Sequence, residues 1–337
     1  MHYLPGSVDM RCPHCATVVP IPAPMSGIER CDYRSVAGGA DAATTTWQQT
    51  VSCPACGAEI SLPSHVAAQP CAFCTTPLVI AAAHAQRLLP PQALLPFRVT
   101  AATAGENFRA WLRGLWFAPS RLKDVARQEG ALQGIYLPYW SYDCDTWSEY
   151  RGERGDDRQV VSTDASGKRQ TRTVTDWRPV SGQVGCRFDA VLARGSPSLS
   201  EEHGVALEPW DLDQMVPYQA HYLSGFAAEA YRVGVEEGFT EAQRRMQGTI
   251  ESAVRSQIGG DHQRIHDLQT RYDDIGFKHL LLPLWISAYR FDGKLFRFLV
   301  NARTGEVQGE RPWSAWKIAG AVLVILLLVG AFLLWQQ

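Results

Sequence analysis

Two cysteine pairs constrain this chain more than any other feature: Cys53-Pro-Ala-Cys56 and Cys71-Ala-Phe-Cys74, with fourteen residues between them. A Cys-x-x-Cys segment closes a tight turn around one ion, and two such turns complete a tetrahedral four-thiolate site. Gly57, directly after the first pair, supplies the permissive backbone such a turn requires, and Pro54 stiffens it. Four soft thiolates select zinc over harder cations. Disulfides and redox Cys-x-x-Cys pairs are the alternatives; neither pair follows a thioredoxin-like strand, and the topology argued below keeps both out of an oxidising compartment. The expectation is one structural Zn2+ on Cys53, Cys56, Cys71 and Cys74, in a small all-β zinc ribbon over residues 51–90. Four protein ligands leave no open position for catalysis.

Upstream, Cys12-Pro-His-Cys15 is followed after fifteen residues by Cys31-Asp-Tyr-Arg34. This is the layout of a second, degenerate ribbon over residues 1–50, its last ligand replaced by Arg34, which cannot bind a cation. Cys12, Cys15 and Cys31 are candidate ligands for a second Zn2+, with His14, His2 or Asp32 offering a fourth. The alternative is a lobe that keeps its fold by packing without metal, and both remain open here. Residues 37–46, rich in Gly, Ala and Thr, read as a flexible insertion between the lobes. Cys144 and Cys186 read as small buried hydrophobes or incidental thiols.

The other end of the chain is apolar. Ile318 to Leu334 contains seventeen residues without a charge, about 26 Å of helix against a hydrocarbon core of about 30 Å. Trp313, Trp316 and Trp335 flank it, where aromatic rings favour the headgroup layer. A transmembrane helix is expected at residues 316–335, with residues 318–334 in the lipid bilayer. The N-terminal MHYLPGSVDM lacks the pattern of a signal peptide. Arg303, Arg311 and Lys317 precede the span and only Gln336 and Gln337 follow it, so the positive-inside rule places the bulk of the chain in the cytoplasm. The expectation is a single-pass, tail-anchored protein of the inner (cytoplasmic) membrane.

Between these ends, residues 91–314 read as a mixed α+β body. An apolar stripe of Phe108, Trp111, Leu112 and Leu115 predicts a helix over 101–114, with Thr103 and Glu106 as a capping box. A short helix is expected from Ser120. Ala242, Met246, Ile250, Val254 and Ile258 predict a helix over Glu241–Ile258, capped by Thr240 and ended by Gly259-Gly260. Val160–Thr163 and Lys168–Trp177 flank a turn at Asp164–Gly167, and Leu280–Phe291 and Lys294–Asn301 flank Asp292-Gly293, a strong hairpin signal. Gly134-Ile-Tyr-Leu-Pro-Tyr-Trp140 and His279-Leu-Leu-Leu-Pro-Leu-Trp285 form a weak internal repeat, echoed faintly by Leu94–Phe97, and predict two related sheet units packed with helices.

The chain also resembles a known family. The cysteine pairs followed by LLPF (94–97), WFAPSRL (116–122), GIYLPYW (134–140), YRGERG (150–155), FKHLLLPLW (277–285) and NARTGEVQGERPWSAWK (301–317) are similar to bacterial zinc-ribbon membrane proteins. These are often labelled "primosomal protein N′ (replication factor Y), superfamily II helicase-like". The first ribbon of that family carries four cysteines, from which Arg34 departs. The resemblance implies work alongside flotillin-like SPFH proteins and phage-shock-type membrane-stress factors.

The helicase part of that label fails on the residues. The Gly-Lys pairs, Gly167-Lys168 and Gly293-Lys294, lack the upstream glycine and the following Ser or Thr of a phosphate loop, and no acidic Mg2+ motif is present. No GxSxG nucleophile elbow is present either. His262, next to Asp261, and His266 have the H-x3-H spacing that a helix would place on one face as a metal pair, but the glutamate of a hydrolytic motif is missing. With 32 basic and 34 acidic residues, a net charge of −2 argues against a dedicated nucleic-acid binder. Residues 1–90 hold only Arg11, Arg30, Arg34 and Arg87 as basic side chains. The expected function is a non-enzymatic adaptor recruiting protein partners at the inner membrane. The alternative is a membrane-tethered zinc-ribbon nucleic-acid-binding protein.

Overall fold

The computed structural model describes the chain except residues 25, 37–44, 62–67, 80–81, 118, 120–131, 164–168, 292–293, 311–313 and 337. The helix expected from Ser120, the turns at Asp164–Gly167 and Asp292-Gly293, Trp313 and Arg311 therefore lie outside the described residues, as does most of the 37–46 stretch.

The cysteine-rich part consists of short antiparallel hairpins. Strands β1 (His2–Tyr3), β2 (Asp9–Arg11) and β3 (Val18–Pro20) form a meander in that order, with Cys12–Cys15 at the β2–β3 turn. β4 (Cys31–Asp32) stands apart from it. β5 (Thr46–Ser52) and β6 (Glu59–Ser61) flank Cys53–Cys56, while β7 (Ala68–Pro70) and β8 (Pro77–Val79) flank Cys71–Cys74. β9 (His84–Leu88) pairs with the other edge of β5.

The body is built twice from one plan. Its first half runs β10 (Ala93–Leu94), α1 (Ala101–Gly114), β11 (Gln133–Thr163) and β12 (Arg169–Arg194). After α2 (Glu201–Ala206) and β13 (Val216–Pro217), the second half runs β14 (Ala227–Glu229), α3 (Val235–Ile258), β15 (His262–Phe291) and β16 (Lys294–Asn301). β17 (Val307–Gly309) then pairs with β16 and leads to α4 (Ala315–Trp335). The overall class is α+β with one large mixed sheet.

The two Pro-Trp segments of the internal repeat lie directly against each other: Gly134 pairs with Trp285, Pro138 with Leu281 and Trp140 with His279, antiparallel. The halves interlock, because β10 runs parallel to β15 of the second half and β14 runs parallel to β11 of the first. The correspondence extends to single bonds. The Trp140 indole N–H donates to the Val233 carbonyl at 2.9 Å, and that of Trp285 donates to the Val99 carbonyl at 2.8 Å. Gly195, just after β12, accepts from the N–H groups of Arg232 and Val233; Ala302, just after β16, accepts from those of Arg98 and Val99. Phe97 meets Trp285 edge-on at 5.1 Å, as Tyr231 meets Trp140 at 5.0 Å.

This arrangement explains prolines in central strands. On the side of β11 away from β15, β14 pairs at Ile135–Tyr136 and β12 pairs from Tyr139 onward, so Pro138 falls in the gap. Pro283 falls in the matching gap between β10, at Leu280–Leu281, and β16, from Leu284. Their carbonyls accept from Gly195 and Ala302 on that same side, so the missing N–H of each faces the place where one neighbouring strand is exchanged for another. Proline is confined to sheet edges because it cannot donate to a ladder, and each of these positions is locally an edge.

α1 has the expected span, but its cap is Thr100, whose Oγ1 accepts from the Thr103 N–H at 3.2 Å; the Thr103–Glu106 box lies one turn too late. Phe108 stacks on Phe298 with centroids 3.4 Å apart. α3 begins six residues before the expected Glu241, on Gly234, which offers no side-chain cap. Thr240 instead donates back to the Glu236 carbonyl within the helix. The face of Ala242, Met246, Ile250, Val254 and Ile258 is buried as its spacing predicts, and Gly259 ends the helix at φ +64°. Ala242, Met246 and Ile250 cover Trp140, Tyr142, Cys144 and Phe188 on the sheet, and Val254 and Ile258 cover Tyr150.

The strands exceed expectation. β11, β12 and β15 run 31, 26 and 30 residues, about 100 Å for the longest at the usual rise. The cysteine hairpins also do not stand apart as a head. β6 pairs with β14, and β4 pairs with β15 through Cys31 and Phe277, so each N-terminal lobe adds strands to the sheet of the body, while β1–β3 and β7–β8 form small sheets of their own. Cys53, Cys71, Cys74 and Phe73 share one hydrophobic core with Leu95, Ile135, Leu137, Leu280 and Leu282.

Candidate metal centre

Each cysteine pair of the cluster sits in the same backbone loop. The Cys53 N–H donates to the Ala58 carbonyl and the Gly57 N–H to the Cys53 carbonyl, both at 2.8 Å; Cys71, Thr76 and Thr75 repeat these bonds at 2.8 Å. The loop requires a left-handed residue after the second cysteine, at φ +73° for Gly57 and +64° for Thr75. Glycine takes this conformation freely, whereas threonine pays about 1–2 kcal/mol for it.

The sulfurs of Cys53, Cys56, Cys71 and Cys74 all lie within 4.8 Å of one another. Cys53 and Cys74 are 3.4 Å apart and Cys56 and Cys71 3.6 Å, far beyond the roughly 2.05 Å of a disulfide. A tetrahedron with metal–sulfur bonds of about 2.3 Å has edges of about 3.8 Å, so the cluster fits a metal such as zinc. Burial pushes the Cys56 thiol up to about 11 and the Cys71 thiol up as well. Burial also opposes ionisation of Cys74, but hydrogen bonds from Thr76, Cys53 and Cys56 outweigh it and lower that thiol to about 7. Backbone N–H groups of Ala58, Phe73 and Thr76 also point at these sulfurs, which favours the thiolate. The Phe73 carbonyl is held from the body by Arg297 Nε at 3.1 Å.

The other candidate ligands are not gathered. Cys12 and Cys15 share a loop of the same form, but Cys31 is carried away on β4 and packs half-buried among Phe277, Tyr33 and Trp140. Among the described residues, no third His, Cys, Asp or Glu joins Cys12 and Cys15 in a cluster, which leaves His14, His2 and Asp32 out of the expected site. Hydrogen bonds from Thr17 and Cys12 lower the exposed Cys15 thiol to about 7.

His262 and His266 lie on strand β15, where residues four apart are separated by about 13 Å, so the helical metal pair does not form. They meet Asp157 at 3.1 Å and Glu153 at 3.4 Å instead. His279 is fully buried; burial pushes its imidazole down to about 4, and its Nδ1 lies 3.0 Å from the Leu89 carbonyl. Cys144 is buried against Met246 at 3.6 Å, and Cys186 is half-buried.

A buried carboxylate pair beside the cluster carries no sequence signature. Glu229 is 3% exposed on β14, where Ser196 Oγ donates to it at 2.6 Å. Its neighbour Glu59, on β6, accepts from Ser52 Oγ at 2.5 Å and lies 3.1 Å from His84 Nε2. Burial raises the Glu229 carboxyl from 4.5 to about 7, with the charge of Glu59 adding to the rise against Ser196, Ser198 and Arg232. The pair occupies the joint through which the cysteine hairpin enters the body sheet.

α4 has 21 residues at a mean hydropathy of 2.8 and is not buried by the rest of the chain. It is long and apolar enough to cross a membrane. Its N-cap is tied to the segment just after α1 by the Ser314 N–H, which donates to the Phe117 carbonyl at 2.8 Å. Arg303, expected among the flanking charges, is only 9% exposed and holds Asp211, so it belongs to the body rather than to the membrane flank.

The chain is similar to the uncharacterized protein YdjG of Bacillus subtilis (strain 168), at 24% identity over 232 residues. The match covers 68% of this chain and 66% of that protein, so the chain spans just under two thirds of that relative's length. No protein-family profile matches the chain, and no solved structure matches it.

Proposed function

We propose that this protein is a non-enzymatic zinc-ribbon adaptor, anchored in the inner membrane by α4 with its bulk in the cytoplasm, that recruits protein partners to the membrane surface. The observation that carries the reading is the four-thiol cluster, three of whose sulfurs belong to buried cysteines within the main core. With zinc bound, Cys53, Cys56, Cys71 and Cys74 fill a tetrahedral shell, and the ion supplies rigidity to two loops rather than a reactive position. The chain's own part is to hold the thiolates through the N–H groups of Ala58, Phe73 and Thr76 and to brace the second loop through Arg297. A rigid hairpin fused to a long sheet, in a chain that also carries an exposed apolar helix, suits presentation of a surface at a membrane. The resemblance to bacterial zinc-ribbon membrane proteins supports the same reading and directs attention to flotillin-like or phage-shock-type partners.

The test uses the full-length protein purified in detergent, together with crosslinking in intact membranes. Cys56→Ser is expected to lower zinc content by one ion per chain and to abolish partner crosslinks, because a structural zinc couples binding to folding. Unchanged zinc content would remove the metal assignment. Crosslinks that survive loss of the ion would show that the metal-bearing hairpin is not the recruiting surface, and salt-resistant DNA binding would favour the tethered nucleic-acid reader.

A further inference from the structure

Among the described residues, three loops have one form, and two of these face each other. In the first, the Cys12 N–H donates to the Thr17 carbonyl at 2.9 Å and the Ala16 N–H to the Cys12 carbonyl at 3.0 Å, as in the Cys53 and Cys71 loops. Ala16 takes the left-handed conformation, φ +59°, at the position of Gly57 and Thr75. Cys12-Pro-His-Cys15 thus has the backbone of half a four-thiolate site, fully formed and without its other half among the described residues of its own chain.

Its surroundings are those of an interface. Cys15 is exposed and Cys12 half-buried. Val8, Val18 and Val19 beside them are 65%, 51% and 42% exposed. β3 is the edge of its meander, with β2 on one side and no strand on the other among the described residues. β3 is only three residues long and ends in Pro20, so a partner there would cover the exposed Val18 and Val19 side chains rather than extend a long ladder.

We propose that Cys12 and Cys15 form half of a zinc site completed by the same two residues of a second copy of this chain, so that one Zn2+ joins two protomers. The missing half must offer two thiolates on a loop of this shape, and another copy carries that loop. A two-fold interface places one patch against itself, which brings the two loops together and sets β3 alongside its counterpart, with Val18 and Val19 covered. Coordination releases the thiol protons to solvent and involves no redox step. Anchoring by α4, which rests on the membrane reading above, raises the local concentration of copies and favours the pairing, but the donor set does not depend on it.

The test compares the full-length protein with its Cys12→Ser/Cys15→Ser variant, both reduced and purified in detergent, by elemental analysis and by light-scattering mass. One ion shared by two chains gives an expected loss of about 0.5 zinc per chain, with the dimer falling to a monomer. Zinc is read as a difference, so an empty Cys53 site would lower both preparations equally and leave the loss intact. Val18→Asp, which keeps both thiols, is expected to weaken the dimer in the same way and guards against a variant that merely misfolds. Loss of a full ion per chain without a change in mass would place the site within one chain and overturn the proposal. No loss of zinc, or a dimer that persists in the double variant, would equally overturn it.

Discussion

The carboxylate at the joint between cysteine hairpin and body makes stability depend on pH. Glu229 is raised from 4.5 to about 7 by burial and by the neighbouring charge of Glu59. Its folded value therefore lies above its unfolded one, and between those values the folded protein binds more protons than the unfolded chain. Stability then falls as pH rises through this window. The shift is worth at most about 3 kcal/mol at 1.36 kcal/mol per pH unit, present in full near pH 4.5 and lost above about pH 7. Glu229→Gln keeps an acceptor for Ser196 Oγ and removes the charge, so it should be close to neutral at pH 5 and stabilising at pH 8. For a chain of 337 residues, at about 2.1 cal/mol/K of unfolding entropy per residue, a gain of about 3 kcal/mol corresponds to roughly 4 °C in Tm. The assay is thermal unfolding of both proteins in detergent at pH 5, 6, 7 and 8. Taking the difference at each pH cancels zinc loss and other titrations that the two share. A variant no more stable than the wild type at pH 8, or a difference that does not change with pH, would refute the argument.

Removing residues 315–337 should move the protein from the carbonate-resistant membrane fraction to the soluble fraction, since α4 is the one described helix apolar enough to span; continued sedimentation would show a second membrane contact. Trp140→Phe and Trp285→Phe should each cost about 1–3 kcal/mol, because each strands a backbone carbonyl that the indole now satisfies; equilibrium unfolding that separates the two widely would argue that the halves are not equivalent. The purified protein should show no DNA-stimulated ATP hydrolysis above that of a mock preparation, and turnover that follows the protein through successive columns would reopen the motor reading.

Local features were the legible ones. The four cysteines could be assembled on paper because each pair closes its own turn and only one relation between the pairs had to be guessed. The core face of α3 was legible because its residues recur every four positions. Its start was not, because Gly234 offers no side-chain cap and Thr240 resembles one. Cys31 misled for a physical reason: its spacing from Cys15 imitates a ribbon, while its backbone pairs with Phe277, a relation set by tertiary structure. The far reaches of β11 and β12 carry alternating threonines and arginines with little core beneath them, so they read as short strands rather than as one ribbon. The repeat showed as two Pro-Trp segments, but nothing local could reveal that each is completed by the opposite half. The burial of Glu229 was equally hidden, since it follows from β14 being covered by β6.

The interlocking of the halves sets an order on folding. Gly134–Trp140 is an apolar strand whose partner, His279–Trp285, is synthesised some 145 residues later. Pairings of such long range form slowly, and an unpaired apolar strand is a target for aggregation while it waits. During translation the first half can form α1 and the β11–β12 hairpin, yet it lacks both the strand that covers Trp140 and the helix that covers Tyr142. Neither half is therefore a folding unit, and a ribosome stalled between them would hold a chain dependent on chaperones. Completion of the sheet comes just before α4 is made, so the body can close only as this apolar helix leaves the ribosome.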